Sequence, residues 1–353
     1  MYQPFTISHL PNRTIEHEGR TYLFFSGTSY LGLPQHPRMQ ALLIEGISRY
    51  GLHYGSSRNG NLQLDVYNAV EAKLGEWVDG ACALTVSSGM VAGQVVVDWL
   101  AKQIEPTALV LQEPGTHPAL WHPLLTPQTL HLTNDSLAAA LDPADPSPLY
   151  ILTNSVDALR GLRYDFSWLH MLTNRTVWVI VDDSHGLGIL NEGRGIYPDL
   201  TAWTPDDTPT LRFVVTASLA KGMGLPGGAI FGDSTLIAAL RQTAYFGACS
   251  PMPPAYAHAF VNAGTLYEEA RARLDRNVAL AESLLMPTGL FTHDPGYPVF
   301  YTDRDELYPA LLDAGMFIYS FAYPTAADKA NTRIIISAYH EENDIRQLAA
   351  ALL

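Results

Sequence analysis

Cysteine is nearly missing: the 353 residues hold two, Cys82 and Cys249. Set so far apart, they do not read as a disulfide framework, and a chain of this length needs no covalent staples, so a reducing cytosolic setting is expected. Charge is scarce as well. Charged residues make up 16% of the chain, and the balance leans acidic, to a formal net charge of −14. Such a surface repels nucleic-acid phosphates and anionic lipids, and no basic stripe overrides it, so neither nucleic acid nor membrane is an expected partner. No apolar run approaches the ~20 residues of a membrane span, and Met1 to Pro11 has neither the basic nor the apolar region of a secretory leader. The expected location is the cytoplasm. Repeats, low-complexity tracts, the GxSxG elbow and the GxxxxGK loop are absent too, which removes the simplest hydrolase and NTPase readings.

What is present is apolar material, at 47% of residues, enough for a sizeable core. The length exceeds what one core usually organises, so a large domain with a smaller one appended is expected, with a boundary near residue 240. A short strand is expected at Thr21 to Phe25, a helix after Pro37, a helix over Val66 to Trp77, a strand at Ala81 to Val86 and a helix over Val91 to Leu100. Apolar runs then recur at Ala108 to Gln112, Leu149 to Thr153, Val177 to Val181 and Leu211 to Thr216, and again at Ala229 to Gly232. The first three are separated by stretches long enough for helical crossovers, which points to an α/β fold with a largely parallel sheet. Residues 242 to 254 carry three prolines and read as loop. Ala255 to Leu285 reads as one long helix, with short strands near Val299 to Tyr301 and Arg333 to Ile336.

Three segments, each following an expected strand, carry the chemistry: Ser87-Ser88-Gly89, Asp182-Asp183-Ser184-His185 and Ser218-Leu219-Ala220-Lys221-Gly222. Together they meet the demands of pyridoxal 5'-phosphate, which needs an amine for an imine, an anion for its pyridine nitrogen and donors for its phosphate. Lys221 sits among glycines and apolar residues, a charge-poor setting that favours a neutral amine. Asp182 ends an apolar strand, where a carboxylate calls for a cationic partner. Ser88 and Gly89 stand at a strand-to-helix junction, where free amides face an anion. Each residue also has a plain structural reading: a solvated loop lysine, a helix-capping acid, a serine N-cap. Gly222 to Gly227 matches GxGxxG, yet Pro226 and the apolar run at Ala229 argue against a helix opening there. His117 and His122, five apart across two prolines, make a poor shared ligand pair, and no metal is expected.

The ordered motifs Ser29-Tyr-Leu-Gly-Leu33, Arg49-Tyr-Gly51 with Gly55-Ser-Ser-Arg58, Ser87-Ser-Gly-Met90, Val181-Asp-Asp-Ser-His-Gly186, Glu192-Gly-Arg-Gly195, Lys221 through Gly228, Met252-Pro-Pro254 and Arg333 through His340 run through most of the chain. On these the sequence resembles the α-oxoamine synthases, fold-type I pyridoxal phosphate enzymes. The resemblance implies a large cofactor-binding domain (31–240) with a mostly parallel central sheet flanked by helices, a small C-terminal α+β domain (241–353) and an N-terminal segment (1–30) packing with the latter. It implies that Lys221 forms the Schiff base, Asp182 partners the pyridine nitrogen, His185 contacts the ring hydroxyl and His117, in Gly115-Thr-His-Pro118, stacks on the ring. Those four are the expected catalytic residues. Ser88, Gly89, Met90 and Ser218 would hold the phosphate, with Ser250 reaching it across a homodimer interface. Arg333 would bind the amino-acid carboxylate by its fork of donors, and Ser29 and Arg58 would also face substrate.

Departures from the family pattern fall mainly where substrate is handled. Asn154 stands for an acid, Ala158 for a serine, Gly93 and Asn331 for an asparagine and an arginine, and the acyl-site run reads Gly51-Leu-His-Tyr54. The expected activity is condensation of an amino acid with an acyl-CoA or another acyl thioester, with decarboxylation, in the manner of 8-amino-7-oxononanoate synthase. The departures and the short N-terminal segment leave CoA use outside what the resemblance carries over. Two alternatives stay open: an aminotransferase, racemase or lyase of the same fold, and a non-catalytic binding protein that retains it.

Overall fold

The structure is a computed structural model that describes residues 4–142, 144–172, 175–203, 211–322 and 329–352. In chain order its strands are β1 (Thr14–His17), β2 (Arg20–Phe25), β3 (Cys82–Val86), β4 (Leu109–Gln112), β5 (Gln128–Thr129), β6 (Leu149–Asn154), β7 (Val177–Asp182), β8 (Leu211–Ser218), β9 (Gly228–Gly232), β10 (Thr292–His293), β11 (Val299–Thr302), β12 (Met316–Ala322) and β13 (Ala330–Ile335). The chain forms two compact units, one of Met1–Gln40, Ala158–Leu162 and Thr265–Leu353, the other of Ala41–Asp157 and Arg163–Gly264. Residues 241 to 264 therefore group with the second unit, although a boundary near 240 was expected. Pro254–Val261 packs on Asp65–Trp77, which holds that stretch there.

The second unit is built on a seven-stranded sheet in the order β3-β9-β8-β7-β6-β4-β5. Strands β4 to β8 are mutually parallel where they pair, and β9 runs antiparallel between β8 and β3. The alternation of apolar runs and crossovers foretold this. Every residue of β6 is buried, as expected of a strand covered on both faces. One cover is the helix Gly89–Gln103, whose Ala92, Val95, Val96 and Leu100 share a core with Leu84, Ile180, Val214 and Ile230. The carboxyl ends of β3, β4, β6, β7 and β8 consequently lie along one edge of the sheet, the edge where ligands of such folds bind.

The first unit has a six-stranded sheet in the order β1-β2-β12-β13-β11-β10, antiparallel throughout except for β2 against β12. Arg13 ties the start of this unit to its last helix, Glu342–Ala350, through a two-pronged bond to Asp344 at 2.7 and 2.8 Å. His340 is wholly buried between segments: its Nδ1 accepts the Ser337 N–H at 3.0 Å and its Nε2 faces the Phe24 carbonyl at 2.9 Å. Only a neutral ring protonated on Nε2 satisfies both bonds.

Two expected elements differ. The long helix of Ala255 to Leu285 is two helices, Pro254–Val261 and Leu266–Leu285, parted at Gly264 with φ +57°. Apolar spacing continues across the break, so periodicity alone passes over it. The expected loop at 242 to 254 contains a short helix, Ala244–Ala248, whose first turn is capped by the Thr243 hydroxyl accepting the Phe246 N–H at 3.1 Å. No described helix is long and apolar enough to cross a membrane.

Candidate active site

Ten of the residues singled out by sequence lie in the second unit, and eight of them, all but Arg58 and Ser250, lie at or just past the carboxyl ends of its strands or in the segments that follow. Asp182 is the last residue of β7 and is 6% exposed. Its Oδ1 accepts the Ser184 N–H at 2.9 Å and its Oδ2 lies 3.5 Å from Nδ1 of His117. Ser184 in turn accepts the Ser218 N–H on its hydroxyl at 2.8 Å, which ties the end of β7 to the end of β8. His185 is half-buried on the turn that follows Asp182.

Lys221 occupies a closed loop between β8 and β9. Leu219 N–H donates to Gly227 O at 3.0 Å, Leu225 N–H to Leu219 O at 2.8 Å and Gly224 N–H to Lys221 O at 3.1 Å. Leu219, Met223 and Leu225 are buried beneath it, so the loop is held by its own backbone and an apolar underside. The GxGxxG match opens no helix: β9 begins at Gly228. Lys221 is close enough for its charge to act on His117. Burial lowers the imidazole pKa, Asp182 raises it, and the Lys221 cation lowers it further, for a net downward displacement.

Across from this loop, the helix Gly89–Gln103 starts with Ser88, whose hydroxyl caps the Val91 N–H at 3.2 Å. That leaves the amides of Gly89 and Met90 outside the helical ladder, as first-turn amides always are. Glycine is required here by contact: a Cβ at Gly89 would stand 2.6 Å from Cβ of Ser218, and one at Gly228 would overlap the Ser88 carbonyl oxygen. Helix start and lysine loop thus touch backbone to backbone. Met90 is 47% exposed, and Ser250 is exposed just past Ala244–Ala248.

Gly93, one turn into the same helix, has the Ala119 carbonyl oxygen where a Cβ would be. The turn carrying His117 therefore rests directly on the helix, and Gln94 Nε2 donates to both Ala119 O and Trp121 O at 3.0 Å. The departure from asparagine at position 93 is what this approach needs.

Arg58 has a protein partner where substrate was expected. Its guanidinium is buried, donates to Glu71 at 2.9 Å and to the Thr85 hydroxyl at 3.1 Å, and lies 4.2 Å from the Tyr67 ring centroid; Glu71 also receives Arg241. A buried carboxylate flanked by two guanidiniums is an internal strut, and an arginine in a Gly-Ser-Ser-Arg run gives no sign of which partner claims it.

Ser29 and Arg333 belong to the first unit. Arg333, on β13, donates to the carbonyls of Ala158 and Leu159, the latter at 3.0 Å, and its guanidinium lies 4.2 Å from the Tyr319 ring centroid. Its Nε is buried and has no hydrogen-bond partner among the described residues. Ser29 is half-buried, its carbonyl accepting Gly32 N–H at 2.9 Å.

Sequence reasoning passed over Ser184 and Gln94 as supports of the site, and it registered Asn154 only as a departure. Asn154 is 3% exposed at the end of β6, beside Asp182. A strand-end amide in register with a candidate acid is a signal, but it needs the pairing of β6 with β7 to be seen.

Residues 26–352 match the class I and II aminotransferase family. The chain belongs to that family and is a pyridoxal 5'-phosphate-dependent transferase of fold type I, as its motifs led one to expect. Among curated relatives it is 29% identical to the 8-amino-7-oxononanoate synthase of Aliivibrio fischeri strain ES114 over 96% of this chain and 90% of the relative, and 29% identical to that of Cronobacter sakazakii over 97% and 91%. Among solved structures it is similar to a serine palmitoyltransferase of Sphingomonas wittichii, with TM-score 0.81, 17% identity and coverage of 99% and 90%. It is also similar to the 8-amino-7-oxononanoate synthase of Francisella tularensis, with TM-score 0.71, 19% identity and coverage of 94% and 96%.

Proposed function

We propose that this protein is an amino-acid C-acyltransferase that joins an amino acid to an acyl thioester with loss of carbon dioxide, and that it works as a cytoplasmic homodimer. The observation that supports this most is the gathering of Lys221, Asp182, His117 and the first-turn amides of Gly89–Gln103 at one sheet edge, in a chain similar over nearly its whole length to 8-amino-7-oxononanoate synthases.

The donor set fits pyridoxal phosphate. Asp182 is a buried carboxylate with one oxygen toward His117, and the first-turn amides of Gly89 and Met90 stand beside Ser218. In this reading Asp182 would hold the pyridine nitrogen, Lys221 the aldehyde carbon, His117 the ring face, His185 the ring oxygen, and Ser88, Gly89, Met90 and Ser218 the phosphate, with Ser250 of a second copy completing it. When bound, the cofactor supplies an electron sink for charge developing at the amino acid's α-carbon. The protein's own work is to orient and to move protons. Asp182 would keep the ring nitrogen protonated, His117 would shield one ring face from water, and the Lys221 amine would hold and move a proton at the amino acid's α-carbon. Arg333 would bind the amino-acid carboxylate, for which its Nε–H, without a hydrogen-bond partner among the described residues, is a suitable donor.

Borohydride reduction of the holoenzyme followed by peptide mapping should label Lys221, and one amino acid with one acyl thioester should release free thiol. Labelling elsewhere overturns the site. Label at Lys221 without thiol release, together with keto-acid formation or racemisation, would establish the second reading, an aminotransferase, racemase or lyase, which Ala158 and the Gly51 to Tyr54 run favour. A purified protein with no cofactor absorbance would instead favour a binding protein.

A further inference from the structure

Strand β6 ends on Asn154 directly beside the end of β7, and Asn154 and Asp182 are register partners. The Asn154 side chain turns toward the segment that carries His117. Its Oδ1 accepts the His117 N–H at 3.0 Å and its Nδ2 donates to the Gly115 carbonyl at 2.9 Å. One planar amide thereby grips both edges of the turn, and it does so while 3% exposed, where neither bond is readily replaced by water.

An acid at this position cannot do the same. A carboxylate would accept the His117 N–H, but it has no hydrogen for the Gly115 oxygen, and two bare acceptors would face each other in a buried setting. Asparagine is also neutral. The charged groups that face the imidazole are Asp182 at the end of β7 and Lys221 in the loop after β8; the helix beneath contributes Gln94, also neutral, to Ala119 O and Trp121 O. A second carboxylate at 154, next to Asp182, would upset that balance of one anion and one cation.

We propose that Asn154 is the positioning residue of this centre: its carboxamide locks the Gly115 to His117 turn and so sets the imidazole against Asp182. The assignment rests on the reading of His117 and Asp182 as cofactor contacts for its functional consequence; the clamp itself is independent of that reading.

The test starts from the apoprotein, where no cofactor is involved. By NMR, the His117 amide hydrogen should exchange at least ~100-fold more slowly than exposed loop amides. In N154A the imidazole should titrate nearer its ordinary value, an upward shift of its midpoint as the turn loosens and the ring is hydrated. N154D should not restore slow exchange at His117. In the holoenzyme, N154A should move the pH midpoint of the cofactor's absorbance band and raise its dissociation constant about tenfold, the factor that corresponds to ~1.4 kcal/mol. An unprotected His117 amide in the native protein overturns the proposal without any variant. So does an N154A protein that melts at a lower temperature with the His117 titration unchanged, which would mark Asn154 as merely structural. If the native protein shows no cofactor absorbance, the functional reading fails while the apoprotein measurements still decide the clamp.

Discussion

The carbonyl oxygen of Ala119 occupies the space that a side chain at Gly93 would fill, so the turn bearing His117 and the helix bearing the Gly89 amides are in backbone contact. Replacing Gly93 by alanine should force them apart. The expected cost is about 1–3 kcal/mol of stability, as for other overpacked sites, measured by urea unfolding. Cofactor affinity should fall with it, whereas the same substitution at the exposed Gly289, with nothing within 4 Å of its Cβ and φ +68°, should cost stability through backbone strain alone and leave the cofactor untouched.

Asp182 raises the His117 pKa while burial and Lys221 lower it. Removing the carboxylate in D182N should therefore lower the imidazole pKa further, visible as a downward shift of its NMR titration midpoint in the apoprotein. Turnover should drop by about 10²–10³-fold, the usual loss when a preorganised charge is deleted from a reaction centre. A D182N enzyme with ordinary turnover would remove Asp182 from the chemistry.

Asp183, next in the chain, is a different acid. It is buried in a hollow formed by Gly186 and Gly195 and accepts the Ile196 N–H at 2.9 Å. Burial pushes its carboxyl up to about 7, with the Ser155 hydroxyl and the Ile196 amide partly opposing. A raised carboxyl pKa means that the native state holds its proton longer than the unfolded chain does, so its contribution is full below about pH 4 and is lost as pH rises toward 7. D183N does not titrate. Its stability relative to the native chain should therefore improve between pH 4 and 7, by at most about 1.4 kcal/mol per pH unit, in paired denaturation curves.

His340 shows the opposite sign. Burial lowers its pKa to about 4, so the native state resists a proton that the unfolded chain accepts near 6.5. Its contribution is present above 6.5 and is lost as pH falls through 4. H340F should destabilise the protein at pH 7 by about 2–4 kcal/mol, because the Ser337 N–H and the Phe24 carbonyl lose their partner, and the gap should narrow on acidification.

Much of this architecture was legible because it is written in local signals. Strands β6, β7 and β8 each carry an apolar run, and Asp182 ends a strand while Ser88 and Lys221 follow one, which is where the fold places ligand-facing groups. What escaped depends on pairs distant in sequence. Arg58 could not be known to meet Glu71, nor Gly93 to meet Ala119, until packing brought them together. Asn154 shows the same limit: its two bonds reach back 37 and 39 positions. The break at Gly264 was hidden because apolar spacing records which face is buried and not whether the backbone stays helical.

The main-chain contact of Gly89 with Ser218, and of Gly228 with Ser88, fixes the distance between the helix start and the lysine loop without help from any side chain. Such a gauge cannot be retuned by swapping residues around it; it can only be kept or broken. Descendants of this chain are therefore free to trade one substrate for another by changing the walls, and even one that loses its reaction would pass on the same gauge intact, ready for a new one.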